Sequence, residues 1–317
     1  MIDKNLIQVS SSIGVTLYPK DGVDADQLLR HADLAMYQSK QSGKNRYHFF
    51  DVESDRAIKK HNESLESILS AIINDEFLLY YQPKVNLETR ELVSVEALIR
   101  WQHPEKGFLL PHAFLPTVED HVLSIRLGEW VIEQAFKQMS AWIKEGLSIS
   151  VSINVGARQL QDSSFTEYLQ TMLLRYPDVP AHLVELEILE TSALEDMVHV
   201  SQIMHACKSL GVRFALDDFG TGYSSLSYLR KLPIDILKID QSFICNLLHD
   251  NDDLAIVEAI VGLSKAFDLS VIAEGVETQE HAELLLKHGC ELAQGYGIAR
   301  PMHPDAIIAW KESSLYM

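Results

Sequence analysis

Cationic side chains are in short supply in this chain. Its 27 Lys and Arg face 45 Asp and Glu, giving a formal net charge of −18. That deficit argues against a nucleic-acid polymer or an anionic membrane as partner. It leaves room for a small phosphate ligand in a locally positive or metal-loaded pocket. Cysteine is scarcer still: Cys207, Cys245 and Cys290 are widely spaced and form no CxxC pair. This predicts buried, inert thiols and a reduced, cytoplasmic setting rather than a disulfide framework. The 13 His show neither HExxH nor HxH spacing, so a zinc site is not expected. His103, His121 and the Met residues are assigned to structure. No apolar run approaches the roughly 18 residues needed to span a bilayer. The start, MIDKNLIQ, lacks the basic and apolar regions of a signal peptide.

What is present is an ordinary globular composition, 47% hydrophobic over 317 residues. That length fits two domains, or one large α/β barrel with an appendage. Residues 1–50 predict a strand over Gln8–Leu17, a Pro-Lys-Asp-Gly turn at 19–22 and one helix. Asp24 followed three residues later by Gln27 resembles a capping box, with an apolar stripe of Leu28, Leu29, Ala32, Ala35 and Met36. Ser42-Gly43 ends that helix. One strand and one helix are too little to enclose a core, so this piece is not expected to be an independent domain. Residues 51–73 read as a linker helix with apolar positions at Ile58, Leu65, Ile68, Leu69 and Ile72. The stretch is too short for a sustained coiled-coil seam.

From residue 77 onward eight strands are predicted: 77–85, 93–101, 149–154, 184–189, 212–218, 236–240, 270–276 and 291–296. The link Asn86–Arg90 between the first two is too short for a parallel crossover, so they pair as an antiparallel hairpin. Helices at 126–145, 157–175, 192–209, 253–267 and 278–288 separate later strands and demand right-handed parallel crossovers. The expected fold is a TIM-like (β/α)8 barrel with its first strand antiparallel, preceded by a small strand–helix fragment.

The most informative stretch is VRFALDDFGTGYSSL, Val212 to Leu226. A buried strand ends in Asp217 and Asp218, then Gly220 and Gly222 supply a turn, and Tyr223 reads as a helix start. Alone, such an acid pair is a solvated loop or a helix cap. The pattern recurs, however. The C-terminal strand ends carry Glu96, Asn154, Glu187, the Asp217–Asp218 pair, Lys238 with Asp240, Glu274 and Gln294. Strand alternation adds that Ser150, Ser152 and Asn154 share a face, as do Lys238 and Asp240, and as do Ser94, Glu96 and Arg100. A polar inward face at the barrel mouth is what an active site needs and a packed core avoids.

Taken singly these residues have plainer readings: Glu96 as an ion pair with Arg100, Asn154 as a turn former, Lys238 snorkelling from a strand edge. Together, Glu96, Asn154, Glu187, Asp217 and Asp218 form a hard oxygen donor set without Cys or His. That selects Mg²⁺ or Mn²⁺ over Zn²⁺. Four carboxylates suit two divalent ions, and two such ions imply hydrolysis of a phosphoester. Glu88, Glu91 and the acids at 250–253 read as solvated loops.

The motifs YYQPKV, EALIRW, SINVGARQ, LEILET, DDFGTGYSSL, LKID, AEGVET and QGYGIARP occur in that order and resemble those of EAL-domain phosphodiesterases over about residues 62–312. Upstream, SSIGVTLYPKDGVDADQLLRHADLAMYQSKQSGKNRYHFFD resembles the last segment of a GGDEF (diguanylate cyclase) domain, without the part that carries that family's signature. Cyclase activity is therefore not expected. The resemblance implies domains at 1–50 (GGDEF remnant), 51–73 (linker) and 74–317 (EAL phosphodiesterase). It implies hydrolysis of cyclic di-GMP to the linear dinucleotide pGpG with two Mg²⁺ or Mn²⁺ ions, in a homodimer. Glu96, Asn154, Glu187, Asp217 and Asp218 match the family's metal ligands, and Asp240 lies at the metal site. Lys238 matches the residue that orients the attacking water, and Glu274 a general-base or supporting glutamate. Glu190 matches a tether of the DDFGTG loop and Glu277 a later acid. Gln82, Arg100 and Gln294 match substrate contacts, with Arg100 suited to a phosphate. Leu189 stands where Thr is common and Gly156 where Ser is common; neither is a ligand position. Two alternatives remain open at this stage. One is a silent module that binds cyclic di-GMP and signals through a partner. The other is a Schiff-base aldolase using Lys238, which the acids around that lysine disfavour.

Overall fold

The computed structural model describes residues 10–21, 24–41, 43, 45–221 and 229–313. The chain forms two compact units, Met1–Ile68 and Leu69–Met317. In the first, strand β1 (Ile13–Val15), helix α1 (Ala25–Gln41) and strand β2 (Tyr47–Phe49) make a small β-α-β unit with its two strands parallel. The Asp24 carboxylate accepts from the Gln27 amide at 2.8 Å, as the capping pattern predicts. Strand β2 is an addition to the sequence reading; three residues carry too little alternation to register as a strand. Leu29 is a correction. It lies 66% exposed while Ala35 and Ser39 are fully buried, so the inner face of α1 runs one position away from it. The close fit of β1 on α1 depends on Gly14, where an added Cβ would fall 1.9 Å from the Ala32 carbonyl.

Helix α2 (Val52–Ile73) leads into the second unit. Strands β3 (Phe77–Asn86), β4 (Leu92–His103), β5 (Gly107–Leu109), β6 (Ser150–Asn154), β7 (Val184–Leu189), β8 (Arg213–Phe219), β9 (Ile236–Ile239), β10 (Ser270–Ala273) and β11 (Leu292–Ala293) follow. Their order, β3-β11-β10-β9-β8-β7-β6-β4-β5 with β3 also paired to β4, closes eight of them into a barrel. Strand β3 is antiparallel to β4, as the short 86–90 link requires, and antiparallel also to β11. That turn is built by Asn86, whose side-chain oxygen accepts from the amides of Glu88 and Thr89, both at 2.9 Å. The small edge strand β5 extends β4 beyond the barrel and has no counterpart in the sequence reading.

Helices α3 (Leu115–Val118), α4 (Leu123–Lys144), α5 (Ala157–Leu160), α6 (Phe165–Arg175), α7 (Glu190–Glu195), α8 (Met197–Ser209), α9 (Gln241–Cys245), α10 (Asn251–Phe267), α11 (Gln279–Lys287) and α12 (Pro304–Ser313) accompany the barrel. Two predicted helices are broken in two. At 157–175 the Asp162 carboxylate accepts from the Ser164 amide at 2.8 Å and turns the chain. At 192–209 Asp196 leaves helical geometry and recaps α8 by accepting from His199. Strand alternation separates two cores. Val151 and Ile153 are fully buried against the helical layer that holds Ile132, Phe136 and Trp142, while Ser152, also fully buried, faces the barrel interior.

Cys207 and Cys290 are buried as expected, and burial pushes the Cys290 thiol up to about 12. Cys245 is exposed on the short helix α9, contrary to expectation. His103 and His121 accept backbone hydrogen bonds in turns, a structural use. The helix start expected at Tyr223 lies outside the described residues. Among the described residues no helix is long and apolar enough to cross a membrane.

Candidate metal and substrate site

Consecutive strand residues should point to opposite faces, which would separate Asp217 from Asp218. The barrel avoids this. The register of β8 on β9 shifts between Leu216 and Phe219, and Asp218 takes φ +53°, a left-handed conformation that Asp tolerates better than most residues. The bulge turns both carboxylates to the mouth. Oxygens of Asp217, Asp218 and Glu274 then lie within 4.8 Å of one another. Gly220, at φ +100°, completes the turn, and its amide donates to Glu190 Oε2 at 3.2 Å. This bond ties the loop after β8 to the start of α7, at the position expected of a tether.

Lys238, at 1% exposure, sits in the middle of these acids. Its ammonium is 2.7 Å from Glu274, 2.8 Å from Glu187, 3.0 Å from Asp217 and 3.9 Å from Glu96. Burial alone would lower its pKa, but these carboxylates, Glu187 foremost, hold it well above the usual lysine value. Burial likewise raises Glu187, and Lys238 and Lys84 more than reverse that, holding it well below the carboxylate range.

Two further acids are raised in spite of Lys238. Burial, reinforced by Asp217, Glu96 and Glu187 against the pull of Lys238, pushes Glu274 up to about 8. Burial followed by Asp217 and Asp240 pushes Asp218 up to about 6. Asp240, which helps to raise Asp218, also caps α9 by accepting from the Ser242 amide at 3.1 Å. The site therefore carries more negative charge than Lys238 can offset. Its donors are hard oxygens, the chemistry of a divalent cation such as Mg²⁺ or Mn²⁺ rather than of a soft metal.

Strand β4 supplies Glu96, which is fixed on both oxygens. Asn154 Nδ2 donates to Oε1 at 2.8 Å and Gln294 Nε2 to Oε2 at 2.7 Å. Gln294 Nε2 also donates to Gln82 Oε1 at 2.9 Å, and Gln82 Nε2 donates to the Ala299 carbonyl at 2.9 Å. With its side-chain nitrogen committed to two acceptors, the side-chain oxygen Oε1 of Gln294 is left buried and without a hydrogen-bond partner. A cavity of about 250 Å³ opens over these groups. Its buried members include Gln82, Glu96, Asp217, Lys238 and Gln294, and its exposed members include Gln241, Glu277 and Tyr296.

Asn154, Glu187, Asp218, Asp240 and Glu190 stand behind or beside this lining rather than in it. Arg100 does not line the cavity either. It is buried with its guanidinium 5.9 Å from the Tyr80 ring and donates to its neighbour's carbonyl at Ile99. The sequence reading also misses two buried charges under the site, Lys84 and Glu185. Their signal is present in alternation: Lys84 shares the face of Gln82, and Glu185 that of Glu187.

The model of the EAL domain matches residues 65–301, and that of the diguanylate cyclase GGDEF domain matches residues 2–46. The chain is 39% identical over 309 residues to the bifunctional diguanylate cyclase/cyclic di-GMP phosphodiesterase MucR of Pseudomonas aeruginosa, covering 97% of this chain and 45% of that protein. It is 35% identical over 306 residues to the cyclic di-GMP phosphodiesterase PdeR of Escherichia coli K12, covering 96% of this chain and 46% of that one. The chain thus spans less than half the length of either relative. A solved structure of the PaMucR phosphodiesterase in complex with c-di-GMP superposes with a TM-score of 0.74 at 38% identity, over 77% of this chain and 99% of the other. With the barrel, the acidic mouth and the family match over residues 65–301 in agreement, this chain belongs to the EAL domain family.

Proposed function

We propose that this chain hydrolyses cyclic di-GMP to linear pGpG with two divalent cations, Mg²⁺ or Mn²⁺, held by Glu96, Asn154, Glu187, Asp217, Asp218 and Asp240. The observation that carries this reading is the bulge that brings Asp217, Asp218 and Glu274 together beside the buried Lys238 at the barrel mouth. The names of MucR and PdeR, and the ligand in the PaMucR structure, support the choice of substrate.

In the reaction a water oxygen adds to phosphorus, the P–O3′ bond breaks, and the 3′ oxygen leaves with a proton. Bound divalent cations supply polarisation of the phosphoryl oxygen and an acidified water. The chain's own groups do the rest. Lys238, kept protonated by its neighbours, orients the attacking water and meets developing negative charge in a dry site. Glu274, with one oxygen on Lys238 at 2.7 Å, would receive the water's proton once its own has been displaced by bound cations. The unpartnered Gln294 oxygen is an acceptor for a hydroxyl or N–H of the dinucleotide, and Gln82 holds it in place. Glu190 keeps the β8 loop in the bulged form, and Glu277 lines the cavity's open side. Arg100 commits one guanidinium N–H to the Ile99 carbonyl and keeps other donors for a phosphate.

A protonated Lys238 is a poor amine nucleophile, which counts against the aldolase alternative. The complete acid set counts against a silent module. The cytoplasm, where a guanine dinucleotide messenger is made and read, is the proposed location, and a homodimer the proposed assembly. The test of the site is Glu96→Gln, which keeps the side-chain shape while removing one anionic ligand. Loss of turnover by about 10²-fold or more with cyclic di-GMP binding retained is expected, a fall larger than that for losing a supporting residue; unchanged turnover would sink the metal assignment.

A further inference from the structure

Beneath the mouth, the barrel interior is built unevenly. Two residues before Asp217, Lys238, Glu274 and Gln294 stand Ala215, Ile236, Ile272 and Leu292, a packed apolar floor. Under Glu96, Asn154 and Glu187 the corresponding positions are Ser94, Ser152 and Glu185, all buried, and strand β3 adds the buried Lys84. One half of the floor is apolar; the other is a polar network closed around one ammonium.

That ammonium has three partners on two strands. Lys84 Nζ donates to Glu187 Oε1 at 2.5 Å, to Ser152 Oγ at 2.6 Å and to Glu185 Oε1 at 3.3 Å. Glu185 also accepts from Ser152 Oγ at 2.5 Å and from Arg213 Nη2 at 3.2 Å. Glu187 is thus gripped from both sides: Lys84 holds Oε1 from below while Lys238 meets Oε2 at 2.8 Å from above. Charges alternate through the barrel as Arg213, Glu185, Lys84, Glu187 and Lys238. A buried ion pair adds little net stability over apolar residues of like volume, so stability alone does not account for this half of the floor. What three bonds to one ammonium do fix is orientation.

We propose that Lys84 is a positioning residue for Glu187: by clamping Oε1 it sets the carboxylate's rotation so that Oε2 faces the mouth and the divalent cation. The proposal rests on the metal-site reading given above, in which Glu187 is a ligand. Ser152 and Glu185 hold Lys84 in turn, as outer partners commonly hold metal-ligating side chains.

The sign of the effect separates positioning from plain charge balance. Removing a cation buried next to an acidic site should, by Coulomb's law alone, tighten binding of another cation. Removing a clamp should weaken it. The experiment is Mn²⁺ titration of the full chain, followed by the electron paramagnetic resonance signal of free Mn²⁺, for the natural chain, Lys84→Met and Ser152→Ala. Far-UV circular dichroism checks the fold of each. Lys84→Met is expected to weaken Mn²⁺ binding about 10-fold or more, the usual range for a supporting partner. Ser152→Ala, which strands no charge, is expected to weaken it about 3-fold, below that range because two of the three bonds to Lys84 remain. Should Lys84→Met fail to fold, Ser152→Ala decides. Equal or tighter binding in a folded variant overturns the role of Lys84 and leaves the site reading standing. Absence of Mn²⁺ binding by the natural chain overturns both.

Discussion

Lys238 Nζ lies 2.7 Å from Glu274 Oε1, a bond between strand β9 and the residue just after β10 that spans the floor of the cavity. The contact links an ammonium in the cavity lining to the carboxyl proposed to receive a proton. Lys238→Met is expected to lower kcat by about 10²–10³-fold, the usual result of removing one donor aimed at developing charge. Steady-state assays on the folded variant check this, and borohydride treatment with carbonyl compounds is expected to leave the natural chain unmodified.

Without metal, the fold should lose stability as pH rises. Glu274 is pushed up to about 8 and Asp218 to about 6, so above the ordinary carboxylate range near 4 the folded chain binds more protons than the unfolded one. Stability is then greatest below about pH 4 for these two groups and falls until pH passes 8. The depressed Glu187 acts the other way, but only below the ordinary range. In EDTA, Tm is expected to fall by roughly 10 °C between pH 5 and pH 8, since the two shifts together amount to about 5 kcal/mol over that range. Added Mg²⁺ should raise Tm more at pH 8 than at pH 5, where protons compete for the same oxygens. A flat Tm in EDTA over that range contradicts the charge excess.

How far the sequence foretold this arrangement depends on the physics of each part. Strand alternation and short links were sufficient for the barrel, because the 86–90 link forces the β3–β4 hairpin and each later strand is followed by an apolar-periodic stretch. Strand ends point to Glu187 and Lys238 for the same reason, whereas Glu96 lies mid-strand, because β4 runs on from it to His103. The joint orientation of Asp217 and Asp218 was not readable, since it depends on a local register shift that alternation argues against. Lys84 escaped because a lysine beside Pro83 reads as an exposed strand edge, and only the closed barrel shows it buried against Glu187. Arg100 shares the face of Glu96 as alternation predicts, but it packs on the Tyr80 ring and is not among the cavity's lining residues.

The wall between Val276 and Gln294 leaves no space for side chains. A Cβ at Gly295 would lie 2.1 Å from the Val276 carbonyl oxygen, and the Val276 amide donates to the Gln294 carbonyl at 3.1 Å. Gly295→Ala must push these segments apart, and both line the cavity. The expected cost is about 1–3 kcal/mol of stability, with a raised KM for the dinucleotide. Chemical denaturation and steady-state kinetics read the two effects separately.

The two departures from the usual motif residues should be neutral for folding. Gly156 has φ −70° and nothing within 4 Å of an added Cβ, and Leu189 is 37% exposed at the start of α7. Gly156→Ser and Leu189→Thr are each expected to change stability by no more than about 0.5 kcal/mol, as for most surface substitutions. A thermal-denaturation series checks this, and turnover measured alongside shows whether either departure bears on activity.

The most direct test of the account is turnover of cyclic di-GMP by the purified chain, with Mg²⁺, with Mn²⁺ and with EDTA, followed by chromatography of the nucleotide products. Appearance of the linear dinucleotide with either metal, and its absence in EDTA, is the predicted result. Cyclic di-GMP that binds the chain but survives in the presence of both metals contradicts the account.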